Sequence, residues 1–133
     1  MSQVFPAVKA VIQDGDKYLL LKQKVLDKYI YDLPGGKVDF GESPYDTLHR
    51  EVKEETDLEV EIIKPLGMWW FFRSKDGNQI VCNTFLCKPL HHNVDLGKNP
   101  IKTELIEEFL WVTREEILEK IDNDSLKDLI SKI

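Results

Sequence analysis

Cysteine is scarce: the 133 residues carry two, Cys82 and Cys87, within one strand-like run. Their odd offset sends them to opposite faces of a strand, which argues against a disulfide between them. Two thiols with no nearby histidine also make a poor zinc site. Both are expected to be small buried side chains, and nothing about them points to an oxidising compartment. Long apolar runs are missing too, since none approaches the roughly 20 residues of a membrane-spanning helix. The opening stretch MSQVFPAVKA lacks the basic-then-apolar order of a secretory leader. A cytoplasmic protein without a membrane partner is therefore expected. Basic residues are outnumbered, 18 against 24, for a formal charge of −6, and they form no cluster. A general binder of nucleic-acid backbone needs a basic stripe, so no nucleic-acid partner is expected. Small phosphate-bearing substrates stay open, because a bound cation reverses the local field.

What remains is ordinary for a globular domain, with 42% hydrophobic and 32% charged residues. One domain over residues 1–133 is expected, with no internal repeat or low-complexity tract. Residues 4–12 read as a strand, Asp14-Gly15-Asp16 as a hairpin turn, and Tyr18-Leu19-Leu20-Leu21 as the next strand. Residues 27–32 read as a polar, aromatic-bearing loop ending in Leu33-Pro34-Gly35-Gly36. Those glycines place bare backbone where a side chain would block close approach. Ser43 and Pro44 are N-cap and first-turn signals, with Asp46 as a capping-box acid, for a helix that runs to about Thr56. Residues 59–72 and 79–88 read as strands flanking the turn Lys75-Asp76-Gly77-Asn78. A short strand is expected around Phe109-Leu110-Trp111-Val112, then a helix opened by the Thr113/Glu116 capping box. Leu126, Leu129, Ile130 and Ile133 form the apolar stripe of a last helix. A mixed sheet with helices packed on it fits this order.

The charge is concentrated. Residues 42–57 hold Glu42, Asp46, Glu51, Glu54, Glu55 and Asp57 against Arg50 and Lys53, which is −4 of the −6. At about 100° per residue, Glu54, Glu51 and Glu55 fall at roughly −60°, 0° and +40° on the helix. Leu48, Val52 and Tyr45 fall beside them at roughly +60°, +100° and +120°. Glu55 thus borders the apolar arc. The helix alone is explained by a solvated acidic face eased by Arg50 and Lys53. The alternative is a set of carboxylates gathered for a hard divalent cation such as Mg²⁺ or Mn²⁺, with phosphate completing the site.

The segment before the helix favours the cation. The spacing is Gly36, five residues, Glu42, seven residues, Arg50-Glu51-Val52-Lys53-Glu54-Glu55, then Thr56-Asp57-Leu58. This 36–58 stretch resembles the signature box of the Nudix hydrolases, the MutT-like family, and departs from it at one position. Asp57 stands where the family has glycine. A helix terminus commonly needs left-handed backbone there, which Asp tolerates better than most residues. Asp57→Gly is therefore expected to stabilise the fold without changing turnover.

The resemblance implies an α/β fold, a mixed β-sheet sandwiched between helices. It implies metal-dependent hydrolysis of a nucleoside diphosphate linked to a group X, with Mg²⁺ as cofactor and Mn²⁺ as substitute. Glu51, Glu54 and Glu55 would hold the metal, the Gly35 carbonyl adding an oxygen. Arg50 would orient the glutamates, with Glu42 as its structural partner. The general base varies within the family; Glu54 or Glu55 is the first choice, and Glu104, Glu107 and Glu108 are alternatives. Lys22 and Lys37 are candidates for phosphate contacts, or ordinary surface lysines. Tyr31 is a substrate contact or core packing. Of Trp69-Trp70-Phe71-Phe72, both alternate pairs are expected to be core, the alternative for one of them being to stack on a base or line a dimer seam. His91-His92 is expected to be loop. The expected substrate is a nucleoside triphosphate, oxidised forms included. ADP-ribose or another nucleotide sugar is the alternative, weakened because 71–74 lacks the proline that marks ADP-ribose pyrophosphatases. A silent nucleotide-sensing domain is disfavoured because all three box glutamates stand. Homodimers are common in the family, though no feature of this sequence demonstrates one.

Overall fold

The computed structural model describes residues 1–99 and 106–133. In chain order it contains β1 (Val4–Asp14), β2 (Lys17–Val25), β3 (Lys28–Asp32), β4 (Gly35–Lys37), α1 (Pro44–Thr56), β5 (Val60–Phe72) and β6 (Gln79–Pro89). A 3-10 turn at Leu96–Lys98 precedes β7 (Ile106–Val112), α2 (Arg114–Lys120) and α3 (Asp124–Ser131). The strand order is β3-β2-β1-β6-β5, with β4 added to β1 and β7 to β2. β1 and β6 run parallel, while the other pairings are antiparallel. Both sequence-expected hairpins form, and the mixed sheet follows from the long α1-bearing connection that returns the chain beside β1.

The alternation of side chains along β1 builds two cores. Ala7 and Val11 join Leu20, Trp69, Ile117, Leu126 and Ile130 on one face, under α2 and α3. Val8, Ala10 and Ile12 join Leu19, Leu48, Val52 and Phe85 on the other, under α1. The layers are therefore helix, sheet, helix. Cys82 and Cys87 are buried and unbridged, one in each core. Among the described residues, no helix is long and apolar enough to cross a membrane.

The sheet is split where it matters. β1 pairs with β2 only at its far end, Gln13 with Tyr18 and Asp14 with Lys17. Nearer its start, Ala7, Val8 and Lys9 pair instead with Lys37, Gly36 and Gly35. The Ala10 amide donates to the Pro34 carbonyl at 2.8 Å, closing the gap between these pairings. The 33–36 stretch thus lies in the opening between β1 and β2.

Three sequence expectations need correction. Most of the 27–32 loop is strand β3, paired with β2 from Leu21–Asp32 to Val25–Lys28. Its alternating Tyr29 and Tyr31 suit a pleated surface, and the exposed edge of β2 supplies the partner. Gly35 and Gly36 are strand rather than loop, because only residues without a Cβ can lie this close to β1 and α1. Trp69 is buried and Phe71 stacks on it at 5.6 Å, but Trp70 and Phe72 are 47% and 65% exposed. β5 is an edge strand covered by α3 on the Trp69 face, whereas α1 packs over β1 and β4.

Candidate active site

Helix α1 begins and ends where its local chemistry dictates. The Ser43 hydroxyl accepts from the Tyr45 amide at 3.2 Å, one residue earlier than a capping box with Asp46 would use. Asp57 closes the helix in left-handed backbone, φ 63°, as the family's glycine would. Between these ends, Leu48 and Val52 turn into the core, and the neighbouring arc carries the glutamates. Glu51 and Glu55 are each 8% exposed, while Glu54 is half-buried.

Arg50 organises the acids around it. Its Nε and Nη2 donate to the two oxygens of Glu42 at 2.9 and 3.0 Å, a forked pair across the loop–helix junction. Nη2 also reaches Asp39 at 3.2 Å. Nη1 donates to Glu51 and to Glu54, at 3.2 Å each. The Thr47 hydroxyl donates to Glu42 at 2.7 Å. The Arg50 fork, with Thr47 helping, pulls the Glu42 carboxyl down to about 2. The same carboxylate is the main reason the guanidinium is held even more firmly protonated than usual.

The two glycines bring β4 against this helix. A Cβ on Gly36 would lie 2.5 Å from the Glu51 carboxyl carbon, and one on Gly35 would lie 2.0 Å from the Val8 carbonyl. Gly35 also has φ 144°, which other residues rarely adopt. Its amide donates to Glu55 Oε1 at 2.7 Å. The Gly35 amide thus ties β4 to a box glutamate.

Glu42, Glu51 and Glu54 thus gather on Arg50, while Glu55 meets Gly35 and Glu51 abuts Gly36. The softer candidates lie around them. Tyr31 lines a cavity of about 250 Å³ with Tyr29, Asp32, Trp69, Phe71 and Asn123. The Lys120 ammonium stands 5.0 Å over the Tyr31 ring. Lys22 lies over Tyr29 at 4.9 Å and 3.7 Å from Glu108, and Lys37 lies over Phe5 at 4.7 Å. Glu107 and Glu108 are exposed on β7, and Glu104 lies outside the described residues. His91-His92 is loop, as expected, with His92 Nε2 at 2.9 Å from Asp14.

Lys9 and Asp32 escaped the sequence reading. Lys9 is 7% exposed, and its ammonium meets Asp32 at 2.9 Å and the Leu33 carbonyl at 3.2 Å. Burial works against its charge, yet Asp32 and then Glu55 hold its pKa above the usual lysine value. The signal was there: Lys9 is the one charged residue inside the apolar stretch 5–12.

The donor set suits a hard divalent ion, being carboxylate oxygen without thiol or imidazole. Glu51 and Glu54 already share one cationic nitrogen of Arg50, so their side chains can converge on a single positive centre. Among the described residues, no three metal-binding side chains stand together as a ready cage. Arg50 bonds both Glu51 and Glu54, and Glu55 Oε1 accepts from Gly35.

A family model described as the NUDIX domain matches residues 4–132. The chain belongs to the Nudix family. Nudix hydrolases act on pyrophosphate bonds in nucleotide derivatives and generally need divalent metal ions. Mouse mitochondrial NAD(P)H pyrophosphatase NUDT13 is 33% identical over 118 residues, covering 86% of this chain and 31% of the relative. The chain therefore spans about a third of that protein's length. The ADP-ribose pyrophosphatase of Bacillus subtilis is 29% identical over 124 residues, covering 92% of this chain and 64% of the relative. The MutT protein of Methanosarcina mazei Go1 superposes with a TM-score of 0.82 at 24% identity, covering 98% of this chain and 93% of that one. That likeness establishes the Nudix fold, an α/β sandwich about a mixed sheet.

Proposed function

We propose that this Nudix chain hydrolyses a pyrophosphate bond in a nucleotide, with Glu51, Glu54 and Glu55 as the metal-holding carboxylates. The observation that carries this is the convergence of Glu51 and Glu54 on one cationic nitrogen beside the bare backbone of Gly35 and Gly36. Mg²⁺, or Mn²⁺ in its place, would be held by these glutamates and the Gly35 carbonyl, where it would neutralise phosphoryl oxygens and acidify a water. Glu54, half-buried and reached by solvent, takes the water's proton. Glu55 is the second choice, since one of its oxygens already accepts from Gly35. Exposure and the Lys22 ion pair make Glu107 and Glu108 weaker candidates. Arg50, anchored by Glu42, orients Glu51 and Glu54.

The aromatic cavity takes the nucleoside ring against Tyr31. Asp32 on its wall and Gly35 at the glutamates are three residues apart, a reach of about 10 Å at most. That separation lets one ligand touch both places, with Lys22 beside Tyr31 for a phosphate. A nucleoside triphosphate, oxidised forms included, is the first substrate to test. NADH or ADP-ribose is the second, favoured by the names of the relatives that cover most of the chain. A cytoplasmic setting belongs to the same reading.

The test is a hydrolysis panel of dNTPs, oxidised dNTPs, ADP-ribose and NADH with Mg²⁺ or Mn²⁺, run beside Glu54→Gln. Expected are dependence on divalent metal and a fall in kcat of about 10²-fold in the variant. Equal turnover by variant and parent would remove Glu54 from the mechanism.

A further inference from the structure

Lys9 is a buried charge for which the proposed chemistry has no use. It faces two things at once. Its stem lies flat on Gly35, for a Cβ there would meet Lys9 Cα at 2.8 Å and Cδ at 3.0 Å. Its ammonium reaches three residues back along the chain, to the Asp32 carboxylate at 2.9 Å and the Leu33 carbonyl at 3.2 Å. One side chain therefore spans both ends of the 32–35 link. Asp32 is tied from other directions as well: its Oδ1 accepts from the Leu33 amide at 2.7 Å and its Oδ2 from Gln23 at 3.2 Å.

That link joins the two halves of the site. At one end Asp32 lines the aromatic cavity. At the other, the Gly35 amide meets Glu55, and Gly36 abuts Glu51. Stability alone is a poor reason for a lysine here, since buried ion pairs are commonly no more stabilising than apolar residues of the same volume. What an ion pair adds at such a place is direction: it specifies one arrangement of the groups it ties. We propose that Lys9 is a positioning residue, clamping the 32–35 link so that cavity wall and glutamates keep one separation and one orientation. Turnover then depends on Lys9 through the link it holds, because a displacement near 1 Å between reacting groups can cost up to about 10²-fold in rate.

The inference rests on the functional reading above, and its test separates the two. Lys9→Met keeps the stem and removes the ammonium, but leaves Asp32 unpaired and endangers folding. Lys9→Met combined with Asp32→Asn removes both charges and is the deciding variant. In ¹⁵N-labelled protein, well below the melting temperature, the Gly35 amide of the double variant is expected to exchange about tenfold faster than in the parent. On the most active nucleotide of the panel, kcat is expected to fall about tenfold or more, with the separately titrated Kd for Mn²⁺ within about threefold. Parental Gly35 exchange in the folded double variant would overturn the proposal, and so would parental kcat. A parent without pyrophosphohydrolase activity would overturn the functional reading alone, and Gly35 exchange would still decide the role of Lys9.

Discussion

The carboxyl end of Glu51 fills the space where a side chain on residue 36 would begin. A Cβ there would overlap the carboxyl group at 2.5 to 2.7 Å, so Gly36→Ala must displace either the strand or the glutamate. Its expected effect is a loss of turnover of about 10²-fold, with weaker Mn²⁺ binding by isothermal titration and a fold retained by circular dichroism. Glu42 makes a different prediction. Its folded pKa of about 2 lies below the ordinary 4.5, so its bonds to Arg50 and Thr47 stabilise the protein above pH 4.5. That contribution is lost as pH falls through about 2. Glu42→Gln is expected to flatten the dependence of melting temperature on pH between these values, while an unchanged slope would place the acid sensitivity elsewhere. Tyr31→Ala is expected to raise KM about tenfold, the worth of one ring stacked on a base, with a smaller change in kcat.

At the scale of elements, the end of α1 revises a sequence expectation. Asp57 does hold left-handed backbone, φ 63°, where glycine would be at ease. Its carboxylate, however, meets Lys53 at 3.1 Å and Lys98 at 3.1 Å, which hold its pKa below the ordinary value. Asp57→Gly therefore gains backbone freedom and loses both ion pairs. The expected result is a melting temperature close to the parent's at low salt, with a gain appearing in high salt, where exposed pairs are screened. A clear gain at low salt would mean the ion pairs contribute nothing. Helix α1 was legible because its signals are local: Ser43 and Pro44 at one end, the Leu48/Val52 stripe within, and left-handed backbone at the other. Strands β3 and β4 were not, because Tyr29, Tyr31, Gly35 and Gly36 become strand only when β2 and β1 offer their edges.

At the scale of the whole molecule, the deciding feature is the split in the sheet. Because β1 pairs with β4 at one end and β2 at the other, an opening is left that the 33–36 stretch enters. The chain by itself determined the acidic arc of α1, its spacing from the glycines and the two apolar faces of β1, since these follow from helical and strand periodicity and from residues adjacent in sequence. Only the tertiary structure decided that the Gly35 amide would meet Glu55, that Trp70 and Phe72 would stay exposed, and that Lys9 would join Asp32. Each of those depends on which segments lie side by side after the chain has returned from far along its length, and no local pattern carries that information.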